Sequence, residues 1–140
     1  MRNVAARGFD ALADAFERAL PFGSKARTSE DARARFVSLA LAYVDFARSR
    51  TELWRLMFGH LGVAPTPASD RPSTYDWLAK SLTELAAFGI IADPLPEHQF
   101  FAWSAIHGLS DLQISPAIGD QPNRTSVERQ CTLIIGALAR

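Results

Sequence analysis

The chain has 140 residues, 48% of them hydrophobic, which suits one domain that removes about two-thirds of its unfolded surface from water. Fifteen basic residues cancel fifteen acidic ones, leaving no electrostatic footprint for phosphate backbones or anionic membranes. The single cysteine, Cys131, excludes an internal disulfide and a cysteine zinc site. No apolar run reaches the roughly 18 residues of a spanning helix, and Met1 to Val4 lacks a signal-peptide pattern, so the expected location is the cytoplasm.

The periodicity is helical throughout, with no sustained alternation and no hairpin dipeptide. A first helix is expected over 1–20, with Ala5, Phe9, Leu12, Phe16 and Leu20 on one face, ended by Pro21 and Gly23. A second starts after Thr28 or Ser29, with Asp31 bonding its first turn, and runs through Phe36, Leu39, Ala40, Tyr43 and Phe46 to Arg48. Thr51 is expected to cap a short third helix over 52–58, closed by Gly59 and Gly62. A Pro- and Ser-rich loop over 64–71 leads to Pro72, a good first helical residue. The fourth helix carries Tyr75, Leu78, Leu82, Leu85 and Ala86 and stops at Gly89. Asp93-Pro94-Leu95-Pro96 starts the fifth, which ends before Pro116.

This fifth helix carries two apolar stripes, Phe101, Ala105, Leu109 and Leu112 on one and Phe100, Trp103, His107 and Ile114 on the other. A helix with two stripes sits at the centre of a core or between a core and a partner. Gly119 to Pro122 opens the last helix, whose stripe is Val127, Cys131, Ile134 and Leu138, with Thr132 and Gly136 on another face. The reading is an all-α, six-helix single domain over 1–140.

Two strings carry a resemblance. Thr51-Glu52-Leu53-Trp54-Arg55-Leu56-Met57-Phe58-Gly59 resembles a string of TetR-type regulators, and Ala102-Trp103-Ser104-Ala105-Ile106-His107-Gly108 resembles the Trp-His-Gly signature of their WHG-type C-terminal domain. Val4 to Leu12 looks like the helix that follows the DNA-binding headpiece in that family. The family reads DNA with an N-terminal helix-turn-helix. The resemblance implies the effector-binding and dimerisation part of a repressor, with 1–20 as the connecting helix and DNA reached only through a headpiece that this chain lacks.

The resemblance further implies a pocket for a small apolar or amphipathic effector among the second to fifth helices. Its expected lining is Tyr43, Trp54, Met57, Phe58, Tyr75, Leu78, Trp103 and His107. Read singly, each of these side chains also suits plain packing, as do Phe36, Phe46, Trp77 and Phe88. His107 has Asp111 one turn on to orient its ring; it is either a core histidine beside Gly108, where helices approach closely, or a polar anchor. The resemblance implies a homodimer through the last two helices, by way of Phe101, Ala105, Leu109, Leu112, Val127, Cys131, Ile134 and Leu138.

A free-standing interaction module and a small helical enzyme using His107 are the rival classes. Ser104, His107 and Asp111 project in parallel from one helix, which is poor geometry for a triad. His60, His98 and His107 are too far apart in sequence to suggest a metal site, and Asp93, Glu97 and His98 read as helix-start residues. Neither metal nor cofactor is expected. Arg33, Arg35, Arg48, Arg50 and Arg55 read as solvated faces, and Gly8, Gly23 and Gly119 as close-packing or turn residues.

Overall fold

A computed structural model describes residues 2–58, 72–115 and 124–139. The expectations for Gly59, His60, Gly62, the 64–71 loop and the Gly119–Pro122 turn lie outside these residues, as does the side chain of Ala5. The described chain forms six helices: α1 Arg2–Ala19, α2 Ser29–Ser49, α3 Thr51–Phe58, α4 Thr74–Ala87, α5 Pro96–Gln113 and α6 Arg124–Leu138.

Local chemistry sets most of the boundaries. Thr28 caps α2 by accepting the Asp31 amide through Oγ1 at 3.0 Å. Ser73 caps α4 in a reciprocal box, its Oγ accepting from the Asp76 amide at 3.3 Å while Asp76 accepts the Ser73 amide at 2.8 Å. Pro72 therefore precedes the cap instead of opening the helix. At the other end of α4, Gly89 takes φ +74°, and the amides of Gly89 and Ile90 return to Ala86 and Leu85, each at 2.9 Å. This is a Schellman turn, and its left-handed residue must lack a Cβ. Pro96 opens α5, and His98 Nδ1 accepts the Leu95 amide at 2.9 Å. Thr51 does not cap α3: its hydroxyl donates back to the Ala47 carbonyl at 2.9 Å. The chain therefore bends between α2 and α3 with little interruption.

The central helix is α2, which packs against each of the other five. The two stripes of α5 allow a place at the centre of the core or between the core and a partner; its backbone approaches those of α2, α4 and α6, and it meets α3 through side chains. Its deepest line is Ala102, Ile106, Ser110 and Gln113, which runs between the two expected stripes. Two of these four are polar, so hydropathy alone does not mark the line. Ser110 satisfies its hydroxyl on the Ile106 carbonyl at 2.9 Å, a bond within its own helix that allows burial. Among the core residues, Leu12, Phe36, Leu82 and Leu85 are fully enclosed; truncating a buried Leu typically costs about 2–5 kcal/mol.

The connection from α1 to α2 is held by a charged clamp. Arg35 bonds Glu84 through Nε at 2.9 Å and Nη2 at 3.2 Å, and bonds Ser24 Oγ and the Ser24 carbonyl at 3.0 Å each. Glu84 also accepts the Ala26 amide at 3.1 Å. Lys80 donates to the carbonyls of Phe22 and Ser24 and sits 4.7 Å from the centre of the Phe22 ring. Arg35 is thus no solvated arginine. Both carboxylate oxygens of Glu84 and all three guanidinium nitrogens of Arg35 are hydrogen-bonded, as a largely buried ion pair requires.

Candidate functional site

Tyr43 comes from the middle of α2, and Trp103 and His107 stand one turn apart on α5. Trp103 Nε1 donates to the Tyr43 hydroxyl oxygen at 2.8 Å, and that oxygen lies 2.8 Å from His107 Nδ1. The indole N–H can only donate. The Tyr43 oxygen therefore accepts from Trp103, and the direction of its bond with Nδ1 follows the His107 tautomer. Trp103, Tyr43 and His107 thus form one hydrogen-bonded relay. Nε2 has no hydrogen-bond partner among the described residues. Burial lowers the pKa of His107 from its ordinary value, with the Asp111 carboxylate pulling the other way. Burial also raises the Tyr43 phenol far above its usual range, offset in part by the Trp103 hydrogen bond. Both shifts favour the neutral relay.

Asp111 was expected to orient the ring, but Tyr43 does so. Aromatic side chains hold it on other sides. Trp54 stacks on the imidazole at 4.9 Å between centroids and 25° between planes, and Phe58 meets it edge-on at 4.6 Å. Tyr43 contacts Trp54 at 4.9 Å, and Trp54 contacts Phe58 at 4.6 Å. These rings fill a gap between helices. α3 approaches neither α4 nor α5 within 8 Å between Cα atoms, so the space between their backbones is spanned by side chains alone.

The eight residues expected to line a pocket divide by depth. Trp54 and Met57 are fully buried and Tyr43 and Leu78 nearly so. Phe58, Tyr75, Trp103 and His107 are half-buried and form the open edge. Tyr75 joins that edge through Trp103, at 6.5 Å between centroids, and Phe100, at 6.3 Å.

Trp77, outside the expected set, has a structural role. Its Nε1 donates to the Leu20 carbonyl at 3.0 Å, and its ring packs on Phe16 and Phe22. It closes the end of α1, and no local pattern marks that role. An open depression of about 560 Å³ lies elsewhere. Its floor includes Ala15 of α1 and Ala42 of α2, with Arg18, Arg50 and Arg124 at its rim, and no residue of the aromatic cluster lines it.

The expected dimer residues also divide. Val127, Cys131, Ile134 and Leu138 are buried in the chain's own core, so the apolar stripe of α6 faces α2 and α5. Burial, reinforced by the Glu128 carboxylate, pushes the Cys131 thiol up to about 12, which keeps it protonated and unreactive. On α5, Ala105 and Leu109 are half-buried against the core, whereas Phe101 and Leu112 remain 45% and 55% exposed. The exposed large residue of α6 is Leu133, at 68%. A Cβ added at Gly108 or Gly136 would meet nothing within 4 Å, so Gly108 serves no close approach within the chain. Gly8 does: a Cβ there would fall 2.5 Å from Met57 Sδ.

Among the described residues no helix is long and apolar enough to cross a membrane, and no cluster of three or more acidic, His or Cys side chains is arranged to hold a metal ion. Among the described residues a central helix is wrapped by five others, with an aromatic cluster spanning one inter-helix gap, which defines an all-α helical domain. The model of the tetracyclin repressor-like C-terminal domain matches residues 36–134, a stretch that contains both α3 and α5. The chain belongs to that family. A solved structure described as a protein with unknown function from Rhodococcus sp. RHA1 is similar, with a TM-score of 0.73 and 28% identity. The similarity covers 99% of this chain and 73% of that one. No curated protein matches the sequence.

Proposed function

We propose that this domain is the effector-sensing and self-pairing part of a transcriptional regulator. A small apolar or amphipathic effector binds at the aromatic gap, against Phe58, Tyr75, Trp103 and His107. The observation that carries this reading is that the facing sides of α3 and α5 are joined through stacked rings, with no close backbone approach among the described residues. Such a join can be reset by a ligand without breaking backbone hydrogen bonds, and ligand sites are apolar with a few fixed polar groups. Two copies pair through the outer faces of α5 and α6, where Phe101, Leu112 and Leu133 stand exposed. An effector that prefers one spacing of the pair shifts the equilibrium between two states.

The test is a screen of small aromatic and amphipathic compounds by thermal shift and tryptophan fluorescence. A true effector raises the melting temperature by mass action and changes emission from Trp54 or Trp103. Trp103→Ala should weaken that response by more than tenfold. A hit whose affinity is unchanged in Trp103→Ala binds elsewhere and removes this site from the reading.

A further inference from the structure

We propose that the Trp103–Tyr43–His107 relay makes His107 a dedicated hydrogen-bond donor, so that the site selects ligands with an acceptor oxygen on an apolar body. The inference rests on the effector site proposed above and names its ligand class. The reasoning follows proton positions. The indole N–H fixes the direction of the first bond; Nδ1 is then the acceptor that the hydrogen bonds of the described residues give the Tyr43 proton, and donation to it places the His107 proton on Nε2. An imidazole without such a lock offers either a donor or an acceptor at Nε2. Here acceptance at Nε2 would move the proton to Nδ1, so that the Tyr43 oxygen accepts twice and its own proton is left without an acceptor among the described residues.

The ring cannot turn to evade the constraint, because Trp54 stacks on it and Phe58 abuts it. Carbonyl, carboxylate and phenolate oxygens satisfy Nε2–H. Ammonium groups oppose it, and plain hydrocarbons leave it unpaired. A site built to hydrogen-bond one group rejects analogues that lack it, because its own polar atom is then stranded. The spacing of the Trp-His pair follows as well: four residues on one helix place both rings against a single hydroxyl on its neighbour.

The experiment has two arms on the intact chain. Long-range 1H–15N spectra at pH 7.5 report the tautomer of His107, assigned with His107→Gln. The expected result is a bare Nδ1 and a protonated Nε2 in the wild type, and a mixture of tautomers in Tyr43→Phe. Binding is then compared for acetophenone and benzoate against ethylbenzene and benzylammonium, read by His107 shifts and tryptophan fluorescence. The two oxygen-bearing probes should bind at least tenfold more tightly. Tyr43→Phe should shrink that preference, and His107→Phe should abolish it while retaining ethylbenzene.

A proton on Nδ1 in the wild type overturns the inference. If all four probes bind near His107 with equal affinity, the acceptor selection is wrong and the effector site stands. If none binds although the tautomer is locked, the effector-site reading fails and the ligand class falls with it.

Discussion

Tyr43 is the residue on which the candidate site turns, because one hydroxyl serves two partners. Tyr43→Phe keeps the ring against Trp54 and Phe16 and strands the Trp103 N–H and His107 Nδ1. Leaving buried polar groups unpaired costs about 1–3 kcal/mol, so the unfolding free energy should fall by that amount, read as a lower urea midpoint with the slope unchanged. An equal midpoint would mean that water replaces the hydroxyl. His107 adds a pH signature. Its folded pKa lies below the ordinary value of 6.5, so above that pH both states hold the neutral ring and stability is flat in this group. As pH drops below 6.5 the unfolded chain takes a proton that the folded chain refuses, and stability falls until the folded ring protonates too. The charged or titratable groups at the ring are Tyr43 from α2 and Asp111 from α5. The stability loss from pH 7.5 to 5.5 should therefore be larger in the wild type than in His107→Gln, and equal losses would refute the assignment.

At the scale of elements, two contacts decide how helices approach. Gly8 lets α1 lie against Met57 and Leu53 of α3. Gly8→Ala improves helix propensity by about 1 kcal/mol, yet places a methyl group where Met57 already sits, and overpacking costs about 1–3 kcal/mol. The variant should be less stable than the wild type, whereas in a Met57→Ala background the same change should stabilise. A double-mutant cycle reads the coupling.

The second contact is the Arg35–Glu84 clamp, whose side chains are 11% and 13% exposed. Glu84→Ala leaves Arg35 without its counter-ion and the Ala26 amide without its acceptor. The expected loss is about 3 kcal/mol, with faster amide exchange over the 20–28 connection. Arg35 was not legible in the sequence, where it reads as one of several arginines on an amphipathic helix. Its partner lies 49 positions away, and no local pattern records that distance.

For the whole molecule, the question is which surface pairs. The exposed apolar residues of α5 and α6 put Leu133 on the outside and its neighbour Ile134 in the core. Leu133→Glu should convert a dimer into a folded monomer, whereas Ile134→Glu should unfold the chain; sedimentation with circular dichroism separates the two outcomes. A wild-type chain that sediments as a monomer at micromolar concentration would remove the pairing reading. A biological interface here should bury at least about 1,000 Å² in total.

The six helices, the apolar faces of α2 and α6, a start of α2 at Thr28 or Ser29, the stop of α4 at Gly89 and the family through the α3 and α5 strings are all legible in the sequence. These are local properties: a 3.6-residue period, a capping oxygen, a glycine at positive φ. That α2 and not α5 is central, and that Tyr43 joins Trp103 and His107, follows from the tertiary packing. Tyr43 stands 60 and 64 residues from those partners. Hydrophobic periodicity says that a face is buried but not against what. Hydrogen-bond partners across a core are set by how whole helices pack, and that packing is a property of the entire chain.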